Sequence, residues 1–275
     1  MRRMRRLTVT SLLILGALIF LFPFYWMVMV SLGKPEDFMK APPRLFPSSL
    51  NFQNYMEAVR YIPFFRYFFN TLWISCMVTL GSVVSSSLVA YGFSKIKWPG
   101  REVLFLITLG TMMLPPAVTV IPLYMEFKAF GWLGSFKPLW VPAWFGSAWA
   151  IFLLRQFYRS IPDELLDSAK IDGAGHFQIW KTIILPMSRA PLAVVALFQF
   201  VWSWKNFFGP LIFLRDQNMY TLSLGLAFFQ SRHGGTEWHL LMAAATLTTI
   251  PTIIIFFLAS RYLIEGIKIT SGFKG

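Results

Sequence analysis

The chain has few of the side chains that catalysis in water and metal binding require. Its 275 residues include three histidines, 12 carboxylates and one cysteine, and 13% of them are charged, against about 25% in ordinary soluble domains. The lone cysteine, Cys76, excludes a disulfide within the chain. The histidines, His176, His233 and His239, have no spacing that resembles a zinc motif. The sequence therefore argues against a metalloenzyme.

A phosphate loop of the form G-x-x-x-x-G-K-[ST] is also missing from the sequence. The chain thus has no recognisable means of hydrolysing ATP, and we expect no cofactor to bind to it. Energy for any driven process has to come from another subunit.

Long apolar runs dominate what is present. The residues are 56% hydrophobic, with 29 Phe and 11 Trp, a composition typical of integral membrane proteins. Because a helix needs about 20 apolar residues to cross a bilayer, the uncharged runs predict an all-α membrane protein with six transmembrane helices, in one transmembrane domain over residues 1–275. The first run is too long for a signal peptide and is interpreted as a retained helix. The predicted spans are 7–33, 67–94, 103–125, 138–154, 190–214 and 238–260.

Lysine and arginine predict the orientation of these spans. With six spans both termini lie on one side, and that side carries most of the Lys and Arg residues, including the four Arg of MRRMRR. The positive-inside rule then places both termini and residues 161–191 in the cytoplasm. The net charge of +13 follows from this orientation beside the anionic lipids of the bilayer, so it is no argument for a nucleic-acid partner.

The polar segment 161–191, IPDELLDSAKIDGAGHFQIWKTIILPMSRAP, is the most informative part of the chain. A link between two spans needs only a few residues, so a polar segment of about 30 suggests a docking surface for a soluble partner. Ser160 and Asp163 form a variant of the capping box, which predicts a helix start at Asp163. Gly173 predicts a left-handed helix end.

A second helical piece is predicted over residues 177–185, ending at Pro186. The first piece presents an apolar ridge made of Leu165, Leu166, Ala169 and Ile171. An amphipathic segment lying on the membrane surface is an alternative interpretation of the same periodicity.

The spacing in this segment resembles the EAA motif of binding-protein-dependent ABC import permeases: E-A-A, three residues, G, nine residues, I-x-L-P. The matching residues are Asp167-Ser168-Ala169, Gly173 and Ile183-Ile184-Leu185-Pro186, with Asp167 in place of Glu and Ser168 in place of Ala. In that family the motif forms the coupling helix, which sits in a cleft of the cytoplasmic ATPase. The resemblance therefore implies a cytoplasmic coupling helix between the fourth and fifth spans. The residues implied in ATPase coupling are Asp163, Glu164, Leu165, Leu166, Asp167, Ser168, Ala169, Lys170, Asp172, Gly173 and Ala174.

The resemblance covers nearly the whole chain and narrows to the smaller, maltose-type permease of carbohydrate importers. It rests also on the phrases LFPFYWMVMVSL, SLNFQNY, TMMLPPAVTVIPLY, WSWKNFFGPLIFL and EGIKITSGFKG. It implies a permease subunit that moves a sugar, oligosaccharide or related polyol by alternating access, in the cytoplasmic membrane of a bacterium or archaeon. The implied partners are a second homologous permease, two cytoplasmic ABC ATPase subunits that bind ATP and Mg²⁺, and an extracytoplasmic solute-binding protein.

Two interruptions mark a candidate translocation pathway. Pro115 and Pro116 break the third span and free backbone carbonyls, which suits a gate or a static kink. Lys205 lies at membrane depth in the fifth span, where no Asp or Glu of any span matches it. Snorkelling to the surface, lining a cavity and binding an acidic solute all remain open for this lysine. Its neighbours Trp204 and Asn206 complete the set of candidate pathway residues. The family usually has Asn in place of this lysine, so the resemblance does not name the solute.

An energy-independent channel or secondary transporter is the main rival. It predicts ionisable relay residues in several spans, whereas only Lys205 qualifies here. A membrane scaffold is a third interpretation, and it predicts no ATPase partner.

Overall fold

The computed structural model describes the backbone of residues 2–38, 44–230 and 236–272. In those ranges the regular structure is helical, and the isolated backbone bridge between Gln230 and Thr236 belongs to no strand. The all-α prediction is confirmed for these residues. The α-helices are α1 (Arg2–Leu32), α2 (Pro35–Phe38), α3 (Gln53–Tyr61), α4 (Phe64–Lys95), α5 (Arg101–Gly110), α6 (Pro116–Ala129), α7 (Lys137–Trp140), α8 (Ala148–Arg159), α9 (Asp163–Ile171), α10 (His176–Ile179), α11 (Leu185–Met187), α12 (Arg189–Trp204), α13 (Phe208–Phe213), α14 (Leu222–Leu226) and α15 (Trp238–Gly272).

Three helices carry long apolar stretches: Arg6–Leu32 in α1, Phe64–Lys95 in α4 and Trp238–Ser260 in α15. They coincide with the first, second and sixth predicted spans. Even the shortest, with 23 residues, extends about 35 Å and exceeds the hydrocarbon core of roughly 30 Å. Most side chains over residues 7–24 are exposed, so lipid or a second protein has to cover this part of α1.

The third predicted span is broken at its prolines. A short 3₁₀ turn, Thr111–Met113, follows α5, and α6 then leaves at 101° to the first half. Leu114 is extended because the ring of Pro115 excludes the helical conformation for the residue before it. Pro116 opens α6, where its missing amide hydrogen is not needed. The predicted break is confirmed, but its angle makes the two halves a broken span or a re-entrant loop and not one straight helix.

The fourth predicted span, residues 138–154, is not one helix. It begins in α7, continues as a 3₁₀ segment, Val141–Phe145, and becomes α-helical again only in α8. The prolines at 138 and 142 lie in the irregular half, and they explain why a regular helix does not start there. α8 has 12 residues and a length of about 18 Å, too short to cross a bilayer alone.

The predicted count of six spans is therefore not reproduced by single helices. Among the described residues, three helices meet the length and apolarity of a span, and five do so if each bent pair forms one span. The second bent pair joins residues 176–187 to α12 at 83°. The described residues are nonetheless mostly helical, and they include several apolar helices of membrane length.

Contacts divide the chain into two compact units, residues 1–65 with 224–250 and residues 66–223 with 251–275. In the first unit, buried Asn54 donates to the carbonyls of Ser31 and Gly33 at 2.9 Å and fastens α3 to the end of α1.

The apolar core that matters for the site lies in the second unit. It is built from α4, α5, α8, α9 and the helical segments that follow α9. Its fully or nearly fully buried members are Ala90, Tyr91, Phe93, Phe105, Ala150, Ile151, Leu154, Tyr158, Ile161, Leu166, Ile179, Trp180, Ile184 and Val195. The polar segment 161–191 is thus partly seated in a core and is not a free loop.

Candidate functional site

α9 begins at Asp163, as predicted, but not by the predicted cap. Pro162 is the N-cap residue in an extended conformation, and no side chain caps this end. The Ser160 hydroxyl instead donates to the carbonyl of Phe157 at 2.7 Å, because Ser160 closes the preceding helix α8. The capping-box prediction is wrong. The start of α9 is favoured by Pro162 and by the two acids in its first turn, Asp163 and Glu164, which face the positive end of the helix dipole.

α9 ends in a left-handed turn at Gly173, as predicted. Gly173 has a φ of 85°, which a residue with a side chain adopts only under strain. Its N–H bonds to the carbonyl of Lys170 at 3.0 Å, and the N–H of Ala174 bonds to that of Ala169 at 2.9 Å. This pair of bonds is the Schellman arrangement, which satisfies the last carbonyls of the helix.

The second helical piece is longer than predicted. It runs from His176 and does not end at Pro186, since α11 continues to Met187. A widened π-helical turn, Trp180–Ile184, separates α10 from α11. Proline lacks an amide hydrogen and crowds the carbonyl one turn earlier, and the widened turn accommodates both effects.

The predicted apolar ridge of α9 is divided between two faces. Leu166 is 2% exposed, and Ala169 packs beside it against the core. Leu165 and Ile171 are 45% and 87% exposed, because at 100° per residue they lie about 100° and 140° around the helix from Leu166. The single-ridge prediction is wrong. The result is a helix with one seated face and one exposed face that still carries apolar side chains.

Beyond α9, Phe177 is a further exposed apolar side chain, with 65% of its surface exposed. Lys170 and Asp167 form a surface ion pair at 2.8 Å, with 45% and 64% of their side chains exposed. We call the exposed side chains of Leu165, Asp167, Lys170, Ile171 and Phe177 the docking face. Exposed apolar side chains together with charged ones are typical of a surface that a partner protein covers.

The start of α9 is tied to the end of α4 by Lys95. Its ammonium donates to the carbonyl of Ile161 at 2.5 Å and to Asp163 at 2.6 Å. The hydrogen bond and charge of Lys95 lower the pKa of the Asp163 carboxyl from its ordinary value. The carboxylate is therefore ionised at neutral pH and the ion pair is intact.

Arg155, on α8, ties the neighbouring elements together. Its guanidinium donates to both carboxylate oxygens of Glu102 at 2.6 and 2.8 Å, and its Nε donates to the carbonyl of Phe93 at 3.1 Å. It also lies 3.9 Å from the ring centre of Phe105. Only 5% of the side chain is exposed. Arg155 thus joins α4, α5 and α8, and we call the parts of these three helices that form the core with Leu166 the platform.

Hydroxyl bonds join α4 to α8 and to the segment after α9. Ser87 is 2.7 Å from the Tyr158 hydroxyl and accepts a hydrogen bond from the Trp180 indole at 2.9 Å. The Tyr91 hydroxyl is 3.1 Å from Nδ1 of His176. Helix α4 is therefore bonded both to α8 and to the second helical piece.

Sequence reasoning missed the roles of Lys95, Glu102 and Arg155. A signal was present: carboxylates are scarce in this chain, and Glu102 and Asp163 both fall beside predicted cytoplasmic cations. Pairing of specific acids with specific bases requires the fold, because the partners are 53 and 68 residues apart.

Lys205 lies where the fifth apolar run loses its helix. Residues 205–207 separate α12 from α13, and the N–H of Lys205 still bonds to the carbonyl of Val201 at 3.2 Å. The lysine is thus at the C-terminal end of α12, where the helix dipole favours a positive charge. Its side chain is exposed, and the described part of the chain supplies no hydrogen-bond or ion-pair partner for its ammonium.

The two neighbours of this lysine have local roles. Trp204 is 3% exposed, and its ring stacks on Phe200 with 5.4 Å between centroids, so it lies inside the protein and not on an open surface. The Asn206 side-chain oxygen accepts from the N–H of Gly209 at 3.1 Å. A Cβ at Gly209 would lie 2.9 Å from the Asn206 amide nitrogen and 3.1 Å from Cδ2 of Leu139, so a larger residue would require these side chains to shift. Both neighbours make contacts within the chain at the break, whereas the lysine between them is exposed.

Pro115 and Pro116 are exposed at the bend between α5 and α6. Among the described residues, no hydrogen bond or ring contact joins this bend to the break at residues 205–207. In the described part of the chain, no three or more His, Cys, Asp or Glu side chains come together in a group that could bind a metal.

Comparison with known proteins identifies the family of the chain. The sequence model of the binding-protein-dependent transport system inner membrane component family matches residues 77–269. The trehalose/maltose transport system permease protein MalG of Thermococcus litoralis is 34% identical over 260 residues, covering 92% of each chain. The sn-glycerol-3-phosphate transport system permease protein UgpE of Agrobacterium fabrum is 30% identical over 274 residues, covering 97% of each chain.

The fold has a solved counterpart. A chain of a bacterial ABC transporter involved in the import of the acidic polysaccharide alginate superposes with a TM-score of 0.82 at 22% identity, covering 94% of this chain and 96% of that one. At that identity the similarity concerns the fold. Together with the family match and the two relatives, it shows that the chain belongs to the binding-protein-dependent transport system inner membrane components, the membrane-embedded permeases of ABC importers.

Proposed function

We propose that this chain is a permease subunit of an ATP-driven importer that moves a sugar, an oligosaccharide or a related polyol into the cytoplasm by alternating access. The observation that carries the proposal is α9: the first part of the EAA-like motif, residues 167–173, falls on this helix and its final turn, and the helix packs on the platform through Leu166 while the side chains of the docking face stay exposed. A helix held in this way can transmit force between a bound partner and the membrane helices.

The proposed topology follows the sequence. Six spans cross the cytoplasmic membrane of a bacterium or archaeon in one transmembrane domain, the two bent pairs and the short α8 contribute to the irregular spans, and both termini and residues 161–191 lie in the cytoplasm. The distribution of Lys and Arg supports this orientation. The lipid bilayer and a second protein would then cover the apolar surface of α1.

The proposed partners are a second homologous permease, two cytoplasmic ABC ATPase subunits and an extracytoplasmic solute-binding protein. The ATPase subunits bind ATP and Mg²⁺ and hydrolyse the nucleotide. Support comes from the names of the relatives, which are permeases of transport systems. It comes also from a second alginate transporter structure, which contains a periplasmic protein bound to an alginate pentasaccharide and matches this chain with a TM-score of 0.61 at 17% identity.

Within this assembly, residues 163–174 are the proposed ATPase contact. Leu165 and Ile171 supply apolar area, while Asp167 and Lys170 supply charges at its rim. Leu166 and Gly173 act differently: the first anchors the helix to the core and the second ends it.

The proposed solute pathway passes the break at residues 205–207. Ends of interrupted helices at membrane depth are where transporters place polar ligand groups. An exposed ammonium at such an end suits a carboxylate or phosphate on the solute. This favours an acidic sugar or sugar phosphate over a neutral one as a second, more specific candidate. The related systems named for trehalose/maltose and for glycerol-3-phosphate span both chemistries.

The test is assembly and coupling. The chain is expressed together with a second permease, an ATPase and a solute-binding protein of the same organism and reconstituted in liposomes. We expect the ATPase to co-purify with the chain and its hydrolysis rate to rise when the loaded solute-binding protein is added. Uptake without ATP would support the channel or secondary transporter, and a complex without the ATPase would support the scaffold.

A further inference from the structure

Lys95, the last residue of α4, is an almost buried ammonium in a polar stretch of the chain. Only 4% of its side chain is exposed, although its neighbour Lys97 is exposed to solvent two residues later. Burying an ammonium is unfavourable unless its hydrogen atoms find acceptors. The two acceptors here are the carbonyl of Ile161 and the carboxylate of Asp163.

The position of these acceptors along the chain is informative. Ile161 and Asp163 flank Pro162, the residue that starts α9. One ammonium therefore binds the backbone before the helix and the first side chain within it. Two charge-assisted hydrogen bonds on either side of one residue fix the direction in which the helix leaves.

A recess of about 350 Å³ lies beside this contact, and its lining includes Lys95 and Lys97 as well as Asp163, Leu166, Asp167 and Lys170 of α9. Lys95 is thus the charged bridge at the N-terminal end of α9. At the far end, the bonds from Ser87 to Trp180 and from Tyr91 to His176 join the same helix α4 to the segment after α9.

We propose that Lys95 is a positioning residue that fixes the angle of α9 and makes it move together with α4. This inference rests on the proposed function, in which α9 is the ATPase contact. Without the ammonium, water solvates the carbonyl and the carboxylate, and α9 keeps its helix and its docking face but not its fixed direction. ATPase binding then persists, while the signal from bound solute is lost between α4 and α9.

The experiment compares Lys95→Met with Lys97→Met in the complete complex of both permeases, the ATPase and the solute-binding protein. Methionine keeps the length and the apolar stem but removes the charge and the donors. The matched control removes the same charge two residues away from an exposed side chain that makes neither bond. The readouts are the ratio of solute-stimulated to unstimulated hydrolysis, the KM for ATP and the amount of ATPase in the complex.

We expect Lys95→Met to lower the stimulation ratio about tenfold, as loss of hydrogen bonds from a charged group implies. The KM for ATP and the ATPase content should match those of Lys97→Met, which should stay within about twofold of the natural chain. A smaller fall is expected for Asp163→Asn, which spares the bond to Ile161, and Lys95→Arg should restore part of the ratio. If Lys95→Met lowers the amount of assembled complex, the stimulation ratio of Asp163→Asn tests the inference in its place.

Two results overturn the inference. The first is a stimulation ratio for Lys95→Met equal to that of Lys97→Met. The second applies if Lys95→Met does not assemble, and it is a stimulation ratio for Asp163→Asn equal to that of the natural chain. Failure of the proposed function looks different, because the natural chain itself would then bind no ATPase or show no stimulation by solute. Unchanged stimulation in the variant, with normal stimulation in the natural chain, removes only the role of Lys95.

Discussion

Residues 161–187 separate the fourth and fifth apolar runs, and residues 205–207 break the helix of the fifth run, but the surroundings of the two segments differ. The first region is fixed by Lys95, by the platform under Leu166 and by the Schellman turn at Gly173. At the second, Trp204 and Asn206 hold the break while the described residues leave the ammonium of Lys205 without a partner. The contrast suggests that the first region is built to carry force and the second to meet a ligand.

The largest expected effect comes from Gly173→Asp. Aspartate is strained at a φ of 85°, by about 1–2 kcal/mol, and it puts a charge beside the docking face. Solute-stimulated ATP hydrolysis should collapse while the subunit still reaches the membrane. The measurement is the hydrolysis rate of the reconstituted complex.

A matched control exists at Gly100, which has a φ of 83° and open space where a side-chain carbon would lie. Gly100→Asp imposes the same backbone strain at the start of α5, outside the coupling helix. It should retain stimulation. Equal losses in the two variants would show that strain alone, and not the position in α9, is responsible.

Removal of Arg155 should weaken the platform itself. Arg155→Met leaves the carbonyl of Phe93 without its buried donor and removes one of the two arginine partners of Glu102. We expect the unfolding temperature of the purified complex to fall by at least about 2 °C. Arg159→Met, one turn along α8 at an exposed position, is the control and should leave it unchanged. Equal unfolding temperatures for both variants would remove Arg155 from the account.

Lys205→Met tests whether the break at residues 205–207 meets the solute. If the ammonium meets an acidic group on the solute, uptake of that solute should fall about tenfold, as expected for a charge-assisted contact, while a neutral analogue is transported as before. Lys128→Met, at the exposed end of α6, removes the same charge elsewhere. Equal transport of both solutes by Lys205→Met would end the acidic-solute hypothesis.

The smallest effect is expected for Lys170→Ala. Its ion pair with Asp167 is exposed on both sides, and such pairs contribute about 0–1 kcal/mol. The unfolding temperature should change by less than about 2 °C. A large fall measured by the same thermal assay would mean that the docking face is part of the core.

The sequence predicted those parts of the fold that depend on local chemistry. Gly173 and Pro115 act through their own backbone preferences, so the end of α9 and the break of the third run could be read from the chain. The uncharged first, second and sixth runs likewise became long helices. The prediction of one helix over the fourth run was wrong, because it considered the apolar composition and not the prolines at 138 and 142.

The candidate site was predicted in outline and missed in detail. Helical periodicity grouped Leu165 with Leu166, yet only the tertiary contacts decide which of two neighbouring leucines is buried. The pairs of Lys95 with Asp163 and of Arg155 with Glu102 join residues far apart in the chain. No local pattern specifies such pairs.

The most direct test of the account is a cross-link between α9 and the ATPase. The chain has one cysteine, Cys76, so a Cys76→Ser background carrying Ile171→Cys has a single thiol at an 87% exposed position of the docking face. Phe46→Cys, at a 70% exposed position in the predicted extracytoplasmic segment, is the control. With a short thiol–amine reagent, the account predicts a covalent adduct with the ATPase from Ile171→Cys and none from Phe46→Cys. An assembled complex that gives no adduct at residue 171, or equal adducts at both positions, would contradict it.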